Sequence, residues 1–194
     1  MTAYEPRPTA PRIEPIDVEN ADGELADLLA GSLTREGRPL NIFGVLGHHP
    51  KLLKRFNLLG GMILNRGLLP ARERELVILR VGANARAEYE FGQHTIIGAE
   101  AGLTEAEIAA LSDAGEAGSD HTWSADDRAL ISLADDLCAD DCVHDDTWAA
   151  LAQRWGDAEL VELLIVAGFY RMVSGFLNSA GVQLDTGVPG WPNP

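Results

Sequence analysis

Cysteine is nearly absent. Two thiols, Cys138 and Cys142, occur in 194 residues, too few for the disulfide framework of a small secreted domain and in keeping with a reducing compartment. Basic charge is scarce as well: 15 Lys and Arg face 30 Asp and Glu, a net charge of -15. That balance repels phosphate backbones and anionic lipid surfaces, so neither nucleic acid nor membrane is an expected partner. Long apolar runs are missing too. The most apolar stretch, Leu163 to Tyr170 between Glu162 and Arg171, falls well short of the roughly 20 residues a bilayer requires. Met1 to Pro15 carries Pro6, Pro8, Pro11 and Pro15 with no apolar run, so no secretory leader is expected and a cytoplasmic location follows. The chain has no Walker loop, GxGxxG, HExxH or serine nucleophile elbow, and no internal repeat.

With 46% hydrophobic residues against 23% charged, the chain can offset its ordering entropy and fold as a globule. The expected organisation is an extended arm over residues 1–20, one helical domain over 21–185 and a tail over 186–194. Alternating β-branched runs are absent, whereas helical punctuation is frequent, so the predicted class is all-α. Short helices are expected over Gly23 to Gly31 and Asn41 to Gly47, with Asn41 as cap and a Gly37-Arg38-Pro39 turn between them. A longer one follows from Pro50 to Asn65. Pro70 opens a helix that is apolar nearly all round and therefore central, and Glu88 to Glu100 forms the next. These two predict an antiparallel hairpin, with an Asp157 to Ala180 helix packed beside it. Thr104 with Glu107 reads as a capping box for a helix to Ala114, followed by a Gly/Ser/Asp loop from Gly115 to Thr122. Ser124 with Asp127 opens a helix to Asp140, and Asp145 or Asp146 caps another through Trp155.

Glu90 and His94 lie four apart, so on a helix they share a face and can touch. A carboxylate beside an imidazole raises the histidine pKa and orients the ring. Glu75, on the preceding buried helix, needs a cation or a histidine to offset its burial. An ordinary surface ion pair has the same spacing as Glu90 and His94, so spacing alone leaves both readings open. Cys138, Cys142 and His144 sit among Asp135, Asp136, Asp140, Asp141, Asp145 and Asp146, but Cys-x3-Cys-x-His is not a zinc spacing, and no metal site is expected.

The run Leu69-Pro70-Ala71-Arg72-Glu73-Arg74-Glu75-Leu76-Val77-Ile78-Leu79-Arg80, followed by Glu88-Tyr89-Glu90-Phe91-Gly92-Gln93-His94, resembles the core of the carboxymuconolactone decarboxylase family, which includes alkylhydroperoxidase D. His49-Pro50-Lys51-Leu52-Leu53, Gly168-Phe169-Tyr170-Arg171-Met172 and Leu177-Asn178 extend the likeness over about residues 40 to 185. The peroxidase branch of that family carries Glu-x11-Cys-x2-Cys-x3-His. Here the Glu falls on Glu75 and the His on His94, but Ala87 and Glu90 stand at the cysteine positions, and neither can form a disulfide.

The resemblance thus implies an alkylhydroperoxidase D-like bundle, a homo-oligomer (dimer, trimer or hexamer), and cofactor-free lyase or isomerase chemistry on a small carboxylated or lactone substrate. In that reading His94 is the general acid/base, with Glu90 and Glu75 as partners. Tyr89 is a candidate donor, and Arg72, Arg80 and Arg171 are candidate clamps for a substrate carboxylate. His49 and Asn57 are candidate pocket residues. A non-catalytic binding or scaffold protein on the same fold is the alternative, and a thiol peroxidase or disulfide reductase ranks last.

Overall fold

The computed structural model describes residues 6–113 and 121–192. Ala114 and most of the Gly115 to Thr122 loop lie outside the described residues. Two compact units emerge: one takes in the chain up to Arg66 together with Phe176–Gly187, the other Gly67–Gly175 and the tail from Val188.

The first unit holds α1 (Gly23–Ala30), a minimal hairpin of β1 (Thr34–Arg35) and β2 (Arg38–Pro39), α2 (Asn41–Leu46) and α3 (Pro50–Arg66). The hairpin stands where only a turn is expected. Glu36 and Gly37 both take positive φ, 51° and 78°, the two-residue geometry that lets Thr34 pair with Pro39 and Arg35 with Arg38. Asn41 is not the cap of α2; Leu40 holds that position. Asn41 is the first helical residue, and its amide donates to Asp185 Oδ1 at 2.9 Å while its side chain donates to the Gln183 carbonyl at 3.0 Å. A long-range carboxylate replaces the local cap.

Along the arm, a short 3-10 turn at Val18–Asn20 is capped by Asp17. Upstream, the backbone amides of Arg12 and Ile13 donate to the Ala180 carbonyl, and that of Ile16 donates to Gly44. Two glycines make room for this path. A Cβ on Gly44 would stand 2.7 Å from Pro15 Cβ, and one on Gly181 (φ +68°) 2.7 Å from the Ala10 carbonyl. His48 Nε2 donates to the Glu14 carbonyl at 2.8 Å, since a carbonyl only accepts.

In the second unit, α4 (Ala71–Asn84) runs through the core, with Arg74 to Ala83 buried without interruption. It packs on α5 (Glu88–Glu100), α6 (Glu105–Ser112) and α7 (Ala125–Asp140), and α8 (Asp145–Leu151) packs on α7. The α4–α5 hairpin is antiparallel: Gly82 faces Phe91, and Gly98 faces Leu79 and Glu75. Thr104 and Glu107 form the expected capping box, and Ser124 Oγ accepts from the Asp127 amide. At α8 the cap position is His144, whose side chain makes no capping bond; its amide donates to Asp136 Oδ2 at 3.0 Å, and Asp145 and Asp146 are first-turn residues.

The last helix, α9 (Asp157–Ala180), is long and apolar enough to cross a membrane by length and composition, with mean hydropathy 1.7 over an 18-residue window. The eight-residue apolar run understates it. Half of that window is buried inside the protein, and Glu162 turns inward to accept the amides of Leu68 at 2.7 Å and Leu69 at 3.3 Å. The buried half of its apolar residues serves the core.

Candidate proton-transfer site

Glu75 lies in the second turn of α4 and His94 in the second turn of α5. Gly98, one turn beyond His94, lets α5 approach α4 closely: a Cβ there would stand 3.2 Å from Leu79 Cδ1 and 3.7 Å from Glu75 Cβ. The approach brings Glu75 Oε2 to 2.5 Å from His94 Nδ1. Glu75 Oε1 accepts from Arg74 Nε at 2.9 Å. On the other edge of the ring, His94 Nε2 lies 3.1 Å from Glu90 Oε1, the pair expected from the four-residue spacing. Arg74, Glu75, His94 and Glu90 thus form one chain of alternating charge.

Burial by itself pulls the His94 pKa down. The charge and hydrogen bond of Glu75, then those of Glu90, outweigh it and raise the imidazole to about 10. Burial likewise pushes Glu75 up, but His94 and then Arg74 outweigh it and hold the carboxyl below the ordinary range. His94 is an imidazolium at neutral pH, hydrogen-bonded to Glu75 through Nδ1 and facing the Glu90 carboxylate with Nε2.

Tyr170 of α9 closes one side, its ring edge-on to His94 with centroids 4.9 Å apart. Burial raises its phenol well above the usual value, and the charges of Glu90 and Glu75 add to that, so it is a neutral hydroxyl. One turn further on α9, Ser174 is wholly buried, and its Oγ has no partner among the described residues. Arg74 and Tyr170 are absent from the sequence-derived roles. Arg74 adjoins Glu75, a spacing that carries no helical-face rule, and Tyr170 stands 76 positions from His94. Its place in the family-like Gly168 to Met172 run was the one signal for it.

The other candidates have partners elsewhere. Arg72 pairs with Asp127 at 2.7 Å and with Glu107. Arg80 pairs with Asp135 at 2.6 Å and donates to the carbonyls of Leu111 and Asp113. Arg171 donates to the Leu137 carbonyl at 2.6 Å and pairs with Asp141. Each guanidinium expected to clamp a substrate is held by carboxylates of the protein. Tyr89 is buried in the first turn of α5. His49 and Asn57 belong to the first unit, where His49 Nδ1 accepts from the Leu52 amide and Asn57 donates to Ser32 Oγ. Cys138 is a free, half-buried thiol whose pKa burial pushes up, and Cys142 is free and exposed.

The model of the carboxymuconolactone decarboxylase family matches residues 50–130, the segment holding Glu75, Glu90 and His94. Among solved structures, an alkylhydroperoxidase D core protein from Ralstonia eutropha JMP134, described as peroxidase-related, is similar at 17% identity and TM-score 0.75, covering 91% of this chain and 95% of its own. The debrominase Bmp8, in a cysteine-to-alanine variant bound to 2,3,4-tribromopyrrole, is similar at 14% identity and TM-score 0.76, covering 92% and 94%. An Agrobacterium tumefaciens protein of unknown function, ascribed to antioxidant defence, is similar at 20% identity and TM-score 0.65, covering 73% and 95%. No curated protein sequence matches the chain. At these identities the structures speak for the fold, which is all-α and alkylhydroperoxidase D-like. Residues 50–130, and the Glu75 and His94 they carry, are similar to the carboxymuconolactone decarboxylase family.

Proposed function

We propose that this protein is a cofactor-free lyase or isomerase acting on a small lactone or carboxylated compound by proton transfer at Glu75, His94 and Glu90. One observation carries the reading: a buried imidazolium held between two carboxylates, at the family's Glu and His positions, with Ala87 and Glu90 where the redox branch has cysteines. The arrangement supplies both a proton-exchanging carboxylate and a fixed positive charge to face a developing dienolate. Thiol chemistry is disfavoured, because Cys138 and Cys142 lie on and just after α7 and the Cys138 thiol is held protonated. The debrominase activity of one structural relative belongs to a protein studied there as a cysteine variant, and this chain has no cysteine in its α4–α5 hairpin.

The companion expectations are proposals of the same standing: a cytoplasmic homo-oligomer with a small-molecule substrate and no nucleic-acid or membrane partner. The test is turnover of 4-carboxymuconolactone and a panel of related lactone acids, read by carbon dioxide release and ultraviolet absorbance, for wild type beside His94→Ala. Activity in the wild type that is lost in the variant supports the reading; activity retained in the variant rejects it.

A second reading is a binding protein that holds a small molecule without converting it. The closed bonding of His94, with both nitrogens satisfied by the protein, favours it. Recovery of the bound compound unchanged after long incubation would decide for this alternative.

A further inference from the structure

The next step rests on the proton-transfer reading and assigns the roles inside it. In the chain Arg74, Glu75, His94, Glu90 the formal charges cancel. Glu75 is closed to solvent at 0% side-chain exposure, with Oε1 on Arg74 and Oε2 on His94, so neither oxygen is left for a substrate. His94 faces carboxylate oxygens from both nitrogens, and ionised carboxylates only accept. Both nitrogens therefore carry hydrogen, and an imidazolium has no lone pair with which to take a proton. Glu90 differs. Its Oε1 is the oxygen that faces His94, and its side chain keeps 5% of its surface open.

Charge balance also narrows the substrate. Arg72, Arg80, Arg154 and Arg171 of the same unit already hold Asp or Glu side chains, and Arg74 holds Glu75. An anionic substrate would bring an unbalanced charge to a buried site whose own charges sum to zero, beside the Glu90 carboxylate. A neutral substrate brings none.

We infer that Glu90 is the catalytic acid/base that meets the substrate through Oε2, that His94 is a fixed cation beside it, and that the substrate is a neutral lactone, ester or ketone with an acidic C–H. In the step, Glu90 Oε2 takes the proton from the carbon next to the carbonyl. The C–H electron pair moves into the carbonyl, which becomes an enolate. Neutral Glu90 then holds the His94 Nε2–H less strongly, and with the ring held by Glu75 that N–H is left to donate to the enolate oxygen beside it. The imidazolium that balanced Glu90 now balances the enolate, so the total charge of the site is unchanged. Return of the proton to the conjugated carbon gives the isomer; nothing is oxidised or reduced.

The experiment is solvent exchange in deuterium oxide, followed by proton NMR, with an unsaturated γ-lactone and with the same ring bearing a carboxylate. Wild type, Glu90→Gln, Glu90→Asp and His94→Gln are compared, each checked for folding by circular dichroism, alongside 15N NMR of His94 in the wild type. Deuterium is expected next to the carbonyl of the neutral lactone with wild type. Exchange should be about 100-fold slower or worse in Glu90→Gln and partly restored in Glu90→Asp. The carboxylated ring should exchange more slowly, and both His94 nitrogens should keep imidazolium shifts across neutral pH. Three results each overturn the inference: exchange retained in Glu90→Gln, faster exchange of the carboxylated ring, or a His94 that titrates near its ordinary value. If His94→Gln is at the same time inactive, the broader proton-transfer reading survives. A folded wild type that exchanges neither ring overturns that reading, and this inference with it.

Discussion

Glu75 and His94 meet across the α4–α5 hairpin at 2.5 Å, carboxylate Oε2 to ring Nδ1, nineteen residues apart in sequence and both buried. The contact fixes the ring's orientation and its charge, and Arg74 on the far side of Glu75 keeps the carboxylate ionised. Removing the carboxylate charge should leave two buried cations, Arg74 and His94, with only Glu90, on the other edge of the ring, to balance them. Glu75→Gln should therefore destabilise the fold by about 3 to 5 kcal/mol, the range for breaking a buried ion pair by one partner. Urea unfolding of the variant beside wild type checks this; a change within error would mean that the pair is dispensable to the fold.

Stability should depend on pH at both ends of the range. His94 is raised to about 10 from the ordinary 6.5, so its contribution is complete below 6.5 and is lost as pH rises through about 10. Glu75 is lowered from 4.5, so its contribution is complete above 4.5 and is lost as pH falls through the lowered value. Denaturation midpoints should be flat between pH 5 and pH 6.5, decline through alkaline pH, and drop again in acid. His94→Gln should remove most of the alkaline decline that wild type shows.

Arg80 tests whether a buried arginine of this unit is structural. Only 1% exposed, it joins α4 to Asp135 of α7 and to the last carbonyls around the end of α6. Arg80→Ala should cost about 3 kcal/mol, the lower end of the buried-pair range, because Asp135 is partly exposed and keeps its bond from Asn84. Turnover per folded molecule should be unchanged. A rise in KM without loss of stability would return Arg80 to the substrate.

The arm is held where only glycine fits. Gly181→Ala places a Cβ 2.7 Å from the Ala10 carbonyl on a residue at φ +68°, a conformation that costs a side-chain-bearing residue about 1 to 3 kcal/mol. The bonds from Arg12 and Ile13 to Ala180 should weaken, and trypsin should cut after Arg12 faster than in wild type. Unchanged cleavage would show that the arm adapts.

The outward face of α9 carries Val161, Ile165, Gly168, Met172 and Gly175, all exposed, with Val161 at 61%. A continuous apolar stripe of this kind is what a second copy of the chain would cover. Light scattering should find wild type as a dimer or larger, and Ile165→Glu or Met172→Glu should lower the assembled fraction. A monomeric wild type at micromolar concentration would remove the oligomer from the proposal.

The amino-acid sequence by itself determined whatever depends on neighbours in the chain. Glu88–Glu100 ends as expected from its punctuation, the Thr104–Glu107 capping box forms, and Glu90 meets His94, because helix geometry brings residues four apart to one face whatever surrounds them. The family-like run also marked Glu75 and His94 as members of one site. Tertiary structure decided the rest. That Glu75 holds Arg74 and His94 at once, that Tyr170 lies edge-on to the imidazole, that Asn41 looks to Asp185, and that Arg72, Arg80 and Arg171 are held by carboxylates are all pairings whose choice no local spacing encodes. An arginine has the same letter whether it clamps a substrate or an aspartate. Which one it meets depends on helix packing, set here by the close approach at Gly82 and Gly98, and that packing gives His94 its second carboxylate, Glu75.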